Sequence, residues 1–177
     1  MIKIRNRYTG ALIKEVETLE NADLRGVNLW GADLRRVNLW GADFRDADLR
    51  SADLRSADFR DADLQNADLR SANLWGANLW GANLRGANLR GAELRDVNLW
   101  GADLRGTCIF AIASRSDGLH FFAQEKDEGL WIIAGHRYFT VKDARKHWKE
   151  NRGTKLGMES LQIVKHAVAM SKIRGME

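Results

Sequence analysis

The chain has 177 residues, with 28 lysines and arginines, 24 aspartates and glutamates and a net charge of +4. Its single cysteine, Cys108, excludes an intramolecular disulfide and predicts a reducing, cytoplasmic location. No apolar run approaches the length of a membrane span, and no basic-plus-apolar leader opens the sequence, so we expect neither a membrane partner nor export.

Residues 1–20 precede a periodic stretch and do not share its pattern. Residues 2–5 alternate between apolar and basic side chains, residues 6–10 are rich in turn formers, and residues 11–16 are apolar enough for a second strand. This order predicts a β-hairpin. We expect the hairpin to cover the start of the periodic stretch, because an uncovered edge of unpaired backbone there would invite aggregation.

From residue 21 to residue 106 the sequence repeats every five residues. Leu or Phe stands at the centre of each unit, Ala or Val stands two residues earlier, and Gly, Ser, Asp or Asn dominate the position two residues later. We predict that the central side chains form the core. They include Leu24, Leu29, Leu34, Leu39, Phe44, Phe59, Leu64, Leu84 and Leu104.

A five-residue period fits neither an α-helix nor a flat strand. Five residues overshoot a helical turn by roughly 140°, which would scatter the Leu positions around the axis. A strand fails because period-two alternation breaks in every unit. Short β-like segments joined by two-residue corners do fit, and four such sides close a square. Positions twenty residues apart should then stack in successive rungs, about 4.8 Å apart.

The repeated A(D/N)LXX pattern resembles the pentapeptide-repeat family. The resemblance implies an all-β solenoid, a right-handed quadrilateral β-helix of about four coils, here over residues 21–109. The opening IKIRNRYTGALI and the later run GLWIIAGHRYFTVKDARKHW also look like the flanks of some bacterial and phage members.

Residues 110–177 leave the pattern and predict a small α+β capping segment. Strands are expected near 109–113, 119–123 and 130–134, separated by turns at 114–118 and 124–129. A capping-box start at Thr140 predicts a helix to about residue 151. A second helix is expected over 158–174, with Leu161, Val164 and Val168 on one face.

The residues that flank each central Leu should point outward. Most are Asp or Asn before it and Arg or Trp after it, and we interpret the Asp and Arg columns as a solvated, self-neutralising surface. The Trp residues are candidate partner-binding anchors, with outward stacking between rungs as the alternative. Arg60 is expected between two of them in cation–π geometry. The candidate set is Trp40, Arg60, Trp75, Trp80 and Trp100.

No residue pattern indicates catalysis, so we expect a non-enzymatic protein without cofactor or metal. Cys108 with His120 or His136 as a base is the one nucleophile arrangement to consider, and a small buried cysteine is the better interpretation. The four histidines are too scattered for metal-ligand spacing. The glycines recur at five-residue spacing and do not form a phosphate-binding loop.

Two classes of function stay open. The first is a rigid module that binds an unidentified protein partner, with self-association through an end cap also possible. The second follows from the resemblance, because quinolone-resistance members mimic duplex DNA and bind DNA gyrase. That role needs a strongly acidic rod, whereas residues 21–106 hold twelve Arg against thirteen Asp or Glu.

The basic C-terminal helix is interpreted as a solvated face, so nucleic-acid binding is not expected.

Overall fold

The computed structural model describes residues 1–114, 120–126, 129–134, 137–150 and 153–173. The chain divides into two compact units, Met1–Thr107 and Cys108–Glu177. Each unit has its own sheet system and its own buried core.

The first unit opens with an antiparallel hairpin in the predicted place. Strands β1 (Ile2–Asn6) and β2 (Leu12–Val16) pair with Ile2 opposite Val16, and the register shifts after Ile4. On its other edge β1 pairs antiparallel with β3 (Ala32–Asp33). The hairpin is therefore hydrogen-bonded directly to the periodic stretch.

The periodic stretch is held by parallel bridges between residues twenty positions apart. The bridges begin at Asp23 with Asp43 and continue to Asn83 with Asp103. The N–H of Leu64 donates to the carbonyl of Asn83 at 2.7 Å, and equivalent bonds recur in the other units. The prediction that positions twenty apart stack is confirmed.

The central Leu and Phe side chains face inward. Of the nine predicted core residues, eight are at most 1% exposed and Leu104 is half-buried. Phe44 and Phe59 are in contact inside the solenoid, with ring centroids 5.6 Å apart. Leu104 is less covered because the ladder ends at Asp103, so a neighbouring rung lies on one side of it only.

Each corner is a turn with a left-handed residue. The N–H of Ala32 donates to the carbonyl of Leu29 at 2.9 Å, which closes a four-residue turn around Gly31. Positive φ at the third residue is the pattern of a type II turn. Every fifth residue from 21 to 106 has a φ between +53° and +76°, and half of these residues are not glycine. The non-glycine corners are Asn, Asp or Ser except at Arg36, whose φ is +58°.

The second unit contains an antiparallel sheet followed by two helices. Its strands are β4 (Ile109–Ser114), β5 (His120–Lys126), β6 (Gly129–Ala134) and β7 (Arg137–Thr140), in that spatial order. The sequence analysis missed β7 and began the turn after β5 too early. Gln124, Glu125 and Lys126 instead continue the pairing with β6. The turn predicted at 114–118 falls mostly outside the described residues.

Helices α1 (Val141–Glu150) and α2 (Lys155–Ile173) pack into the core of the second unit. Thr140 caps α1 as predicted, since its Oγ1 accepts the N–H of Asp143 at 3.1 Å. The buried face of α2 is centred on Ile163, Val164 and Ala167, whereas Leu161 and Val168 are half-buried. Within the described ranges, no helix combines the length and apolar character that a bilayer crossing requires.

Candidate interaction surface

Each unit with Asp before and Arg after its central Leu or Phe, here called an Asp-Leu-Arg unit, closes on itself through a bidentate ion pair. Arg60 Nε and Nη2 donate to the Asp58 carboxylate at 2.9 and 2.6 Å. The backbone N–H of Arg60 also donates to Asp58 Oδ1, at 3.2 Å. The same pairing joins Asp23–Arg25, Asp33–Arg35, Asp43–Arg45, Asp48–Arg50, Asp53–Arg55, Asp68–Arg70 and Asp103–Arg105.

Weaker ion pairs join neighbouring rungs. Asp63 precedes a glutamine in its own unit, and Arg45 of the preceding coil lies 3.7 Å from its carboxylate instead. Within a unit, the hydrogen bonds from Arg60 are the largest cause that lowers the pKa of Asp58 below its ordinary value. The acidic columns therefore carry little uncompensated charge across these coils.

The five tryptophans of the repeat all follow asparagine. In the unit of Asn38 and Trp40, the amide oxygen accepts the backbone N–H of Trp40 at 3.0 Å. This bond keeps the local turn, but the neutral amide cannot form the bidentate ion pair that aspartate forms with arginine. The tryptophan side chains are 40–53% exposed. The Asn-Leu-Trp units thus replace ion pairs with half-exposed aromatic surface.

Four of the predicted site residues form one column. The N–H of Gly41 donates to the carbonyl of Arg60, that of Asp61 to Trp80, and that of Gly81 to Trp100, at 2.9–3.0 Å. These bonds place Trp40, Arg60, Trp80 and Trp100 in consecutive rungs, and we call this set the tryptophan column. Trp75 belongs to a different column.

Two indole groups are fixed by corner aspartates one coil later. Trp40 Nε1 donates to Asp61 Oδ2 at 3.1 Å, and Trp75 Nε1 donates to Asp96 Oδ2 at 2.7 Å. The cation–π contact predicted for Arg60 is not among the contacts of the described residues. Its guanidinium is held by Asp58, because a bidentate carboxylate competes better for it than a ring face does. That prediction was wrong.

The hairpin engages the remaining tryptophan of the repeat, Trp30. Tyr8 packs on Trp30 with ring centroids 5.8 Å apart, and Asn6 Nδ2 donates to the Trp30 carbonyl at 2.9 Å. Arg7 reaches Asp53, whose carboxylate lies 3.5 Å from Arg7 Nη1 and is almost fully buried. Burial is the largest single effect and raises the pKa of Asp53, but the hydrogen bonds from Arg55 and the charges of Arg55 and Arg7 together lower it by more, so the net pKa is lowered. Sequence reasoning did not find this cluster, because it depends on where the hairpin docks.

Of the residues considered for catalysis, Cys108, His120 and His136, only Cys108 has a described side chain. Cys108 directly precedes β4 and is half-buried rather than fully buried. His147 contacts Arg137 at 2.6 Å and stacks on Phe139. The His120 side chain and His136 lie outside the described residues. Among the described side chains, no group of His, Cys, Asp and Glu is arranged to hold a metal ion.

Comparison with protein-family models identifies the five-residue repeat. A family model described as pentapeptide repeats matches in eight copies, over residues 18–41, 41–76 and 72–109. A comparison with curated proteins finds no match.

Several solved structures are similar to this chain. Rfr23, a pentapeptide repeat protein of the cyanobacterium Cyanothece 51142, is 37% identical over 59% of this chain and 72% of its own, with a TM-score of 0.48. A pentapeptide repeat protein of the Arabidopsis thaliana thylakoid lumen is 34% identical over 56% of this chain and 70% of its own, with a TM-score of 0.50. HetL of Nostoc sp. strain PCC 7120, involved in heterocyst differentiation regulation, is 37% identical over 51% of this chain and 52% of its own, with a TM-score of 0.46.

Proposed function

The chain belongs to the pentapeptide-repeat family, and from that premise we propose that it is a non-enzymatic protein-interaction module. Proteins of this family are right-handed quadrilateral β-helices and are generally structural or interaction modules. The proposal includes about four coils, with the hairpin of β1 and β2 as the N-terminal cap. For residues 110–177 the capping role stays a prediction.

The tryptophan column is the observation that carries this proposal. It presents large, half-exposed aromatic side chains on a backbone that is hydrogen-bonded in every rung. Tryptophan is enriched among the residues that dominate binding energy at protein interfaces. A rigid backbone also lowers the entropic cost of association, because little of the surface must be ordered on binding.

The paired surface around the column indicates what kind of partner would suit it. Asp58 and Arg60 neutralise each other, and the other Asp-Leu-Arg units do the same. Recognition would then depend on aromatic contact rather than on net charge. We propose a protein partner with an apolar, concave surface, present in the same compartment as this chain, which we place in the cytoplasm.

Substitution within the column tests the proposal. Trp80 and Trp100 are replaced together by Ser, and proteins retained from a host lysate are compared with those retained by the unaltered chain. We expect the specific partner to be lost while the far-ultraviolet circular dichroism spectrum is kept. Trp30→Ser is the matched control, since Trp30 lies outside the column and already contacts Tyr8. Unchanged capture by the double variant would show that the column only stabilises the rungs.

A DNA mimic that acts on gyrase is the competing function. The self-paired Asp-Leu-Arg units argue against it, because duplex DNA presents uncompensated phosphates. We expect no inhibition of gyrase supercoiling at a large molar excess of this protein. Concentration-dependent inhibition would replace the interaction module with the mimic.

Self-association is the remaining possibility, since either end of a solenoid could meet a second copy. We expect a monomer mass at low micromolar concentration if the hairpin closes the N-terminal end. Sedimentation equilibrium over a range of concentrations measures this directly, and a stable dimer would contradict the proposed cap.

A further inference from the structure

A groove of about 830 Å³ lies beside Trp75, outside the tryptophan column. Corner residues of successive coils run along it, with Arg36 first, then Ser56 and Gly76, and Asp96 last. Ser56 is short and Gly76 has no side chain, so the middle of this line is open. The Trp75 side chain borders the open part. We call this feature the Arg36–Asp96 groove.

Arg36 is the outlier among the corner residues. Its φ of +58° lies in the left-handed region, where a long side chain is disfavoured relative to Gly, Asn or Asp. All other corners from residue 21 to residue 106 carry Gly, Asn, Asp or Ser. A strained residue that the fold does not need is a pointer to a binding role. Arg36 is also exposed to solvent.

The groove has a positive end and a negative end. Arg35 and Arg55 line it, but each is already bound to the aspartate of its own unit. Arg36 has no carboxylate within ion-pair distance among the described side chains, so its charge is available to a ligand. Asp96 stands at the opposite end and would repel a second acidic group there.

Trp75 offers a ligand the carbon surface of its ring rather than its indole N–H. Its indole N–H is already donated to Asp96 Oδ2 at 2.7 Å, and the side chain is 48% exposed. Fixing the indole in this way removes part of the entropic cost of binding to it. An aromatic side chain of a ligand could stack on the exposed face.

The rung spacing sets the distance between the two features. From Arg36 to Gly76 the chain climbs two coils, or about 10 Å at about 4.8 Å per rung. An extended peptide in the polyproline II conformation covers that distance in about three residues, at about 3.1 Å each, and its side chains three positions apart lie on the same face. We propose that the Arg36–Asp96 groove binds an extended peptide segment of a partner protein in which Asp or Glu precedes or follows an aromatic residue by three positions. The acidic group pairs with Arg36 and the ring stacks on Trp75. This proposal rests on the proposed interaction function and names the partner chemistry for one site.

A capped peptide with the sequence Gly-Asp-Gly-Gly-Tyr-Gly tests the proposal directly. It is titrated into uniformly ¹⁵N-labelled protein, and the indole N–H resonance of Trp75, assigned with Trp75→Phe, is followed. We expect a saturable shift. Replacing Asp by Asn in the peptide, or Arg36→Gly in the protein, should raise the Kd by about threefold to fivefold, since each removes one charge of a solvent-exposed pair. Ser51→Gly is the matched control, because it changes a left-handed corner in another column and should leave the Kd unchanged.

The Arg36→Gly variant should remain folded, because glycine adopts this φ without strain. Loss of binding together with an equal or higher Tm is therefore the expected signature. Equal Kd values for Arg36→Gly and the unaltered protein, or an unshifted Trp75 resonance at millimolar peptide, would overturn the proposal. A larger shift with duplex DNA than with the peptide would also overturn it. Partner capture that depends on Trp80 and Trp100 is a separate result, so the groove can fail while the interaction function stands.

Discussion

Adding one methyl group at two neighbouring corners tests how the hairpin is seated on the solenoid. Gly26 and Gly31 have nearly the same backbone, with φ values of +60° and +62°. A Cβ built on Gly26 meets nothing within 4 Å, whereas one on Gly31 lies 3.0 Å from Asn6 Nδ2 and from the Tyr8 ring. The two alanine variants therefore share the backbone strain and differ in contact with the hairpin.

The expected magnitudes follow from these contacts. Left-handed alanine costs about 1–2 kcal/mol, and this is the whole cost expected for Gly26→Ala. At Gly31 the methyl must displace Tyr8, which is exposed, or Asn6, which is nearly buried. Asn6 also accepts the backbone N–H groups of Tyr8 and Thr9 at 2.9 and 3.1 Å. Disturbing these bonds adds about 1–3 kcal/mol, so Gly31→Ala should cost about 2–5 kcal/mol.

Guanidinium chloride unfolding measures both costs, and hydrogen exchange at the Arg7 amide locates the effect. This amide donates to the Gly31 carbonyl at 2.8 Å, so local opening of the hairpin would be seen there first. In an Asn6→Ala background the excess cost of Gly31→Ala should shrink, which a double-mutant cycle quantifies. Equal costs for Gly26→Ala and Gly31→Ala would refute the seating of the hairpin on this corner.

Three further predictions concern the core and the charges. Leu64→Ala should cost about 2–5 kcal/mol in denaturant unfolding, and Leu104→Ala less because that side chain is only half-buried. Asp53→Asn should lower the unfolding free energy by about 1–3 kcal/mol, and by more than Asp58→Asn does. The reason is that Asp53 is buried and also contacts Arg7. Equal effects of the two substitutions would contradict this prediction. Hydrogen bonds from Arg105 lower the pKa of Asp103 to about 2. The stability that the ionised Asp103 contributes should therefore be present above about pH 4 and be lost as the pH falls toward 2. When acid unfolding is followed by circular dichroism, the Asp103→Asn variant should lose less stability between about pH 4 and about pH 2 than the unaltered protein does.

The five-residue period was sufficient to predict the solenoid. Family membership, read from the A(D/N)LXX pattern, is confirmed by the match over residues 18–109. The stacking of positions twenty apart follows from geometry alone, since four equal sides close one coil. The left-handed corners could also be anticipated from their Gly, Asn, Asp and Ser content. These features depend on local chemistry that repeats in every unit.

Contacts that depend on side-chain direction or on docking were not predictable in the same way. The bond from Trp40 to Asp61 spans a corner and a rung, and no spacing rule applied to the sequence singled it out. The contact between Arg7 and Asp53 requires the register of β1 on β3. One signal was present and could have been read: asparagine precedes every tryptophan of the repeat, and aspartate precedes most of the arginines.

The twenty-residue ladder also fixes which changes in length this surface can tolerate. Inserting one five-residue unit between Asp61 and Trp75 would rotate all later residues by one side of the square. Trp75 would then enter the tryptophan column, while Trp80 and Trp100 would leave it. An insertion of twenty residues would lengthen the solenoid by one rung and keep every side chain in phase. The aligned binding surface can therefore be lengthened only by whole coils of twenty residues, although the fold itself can accept single five-residue units.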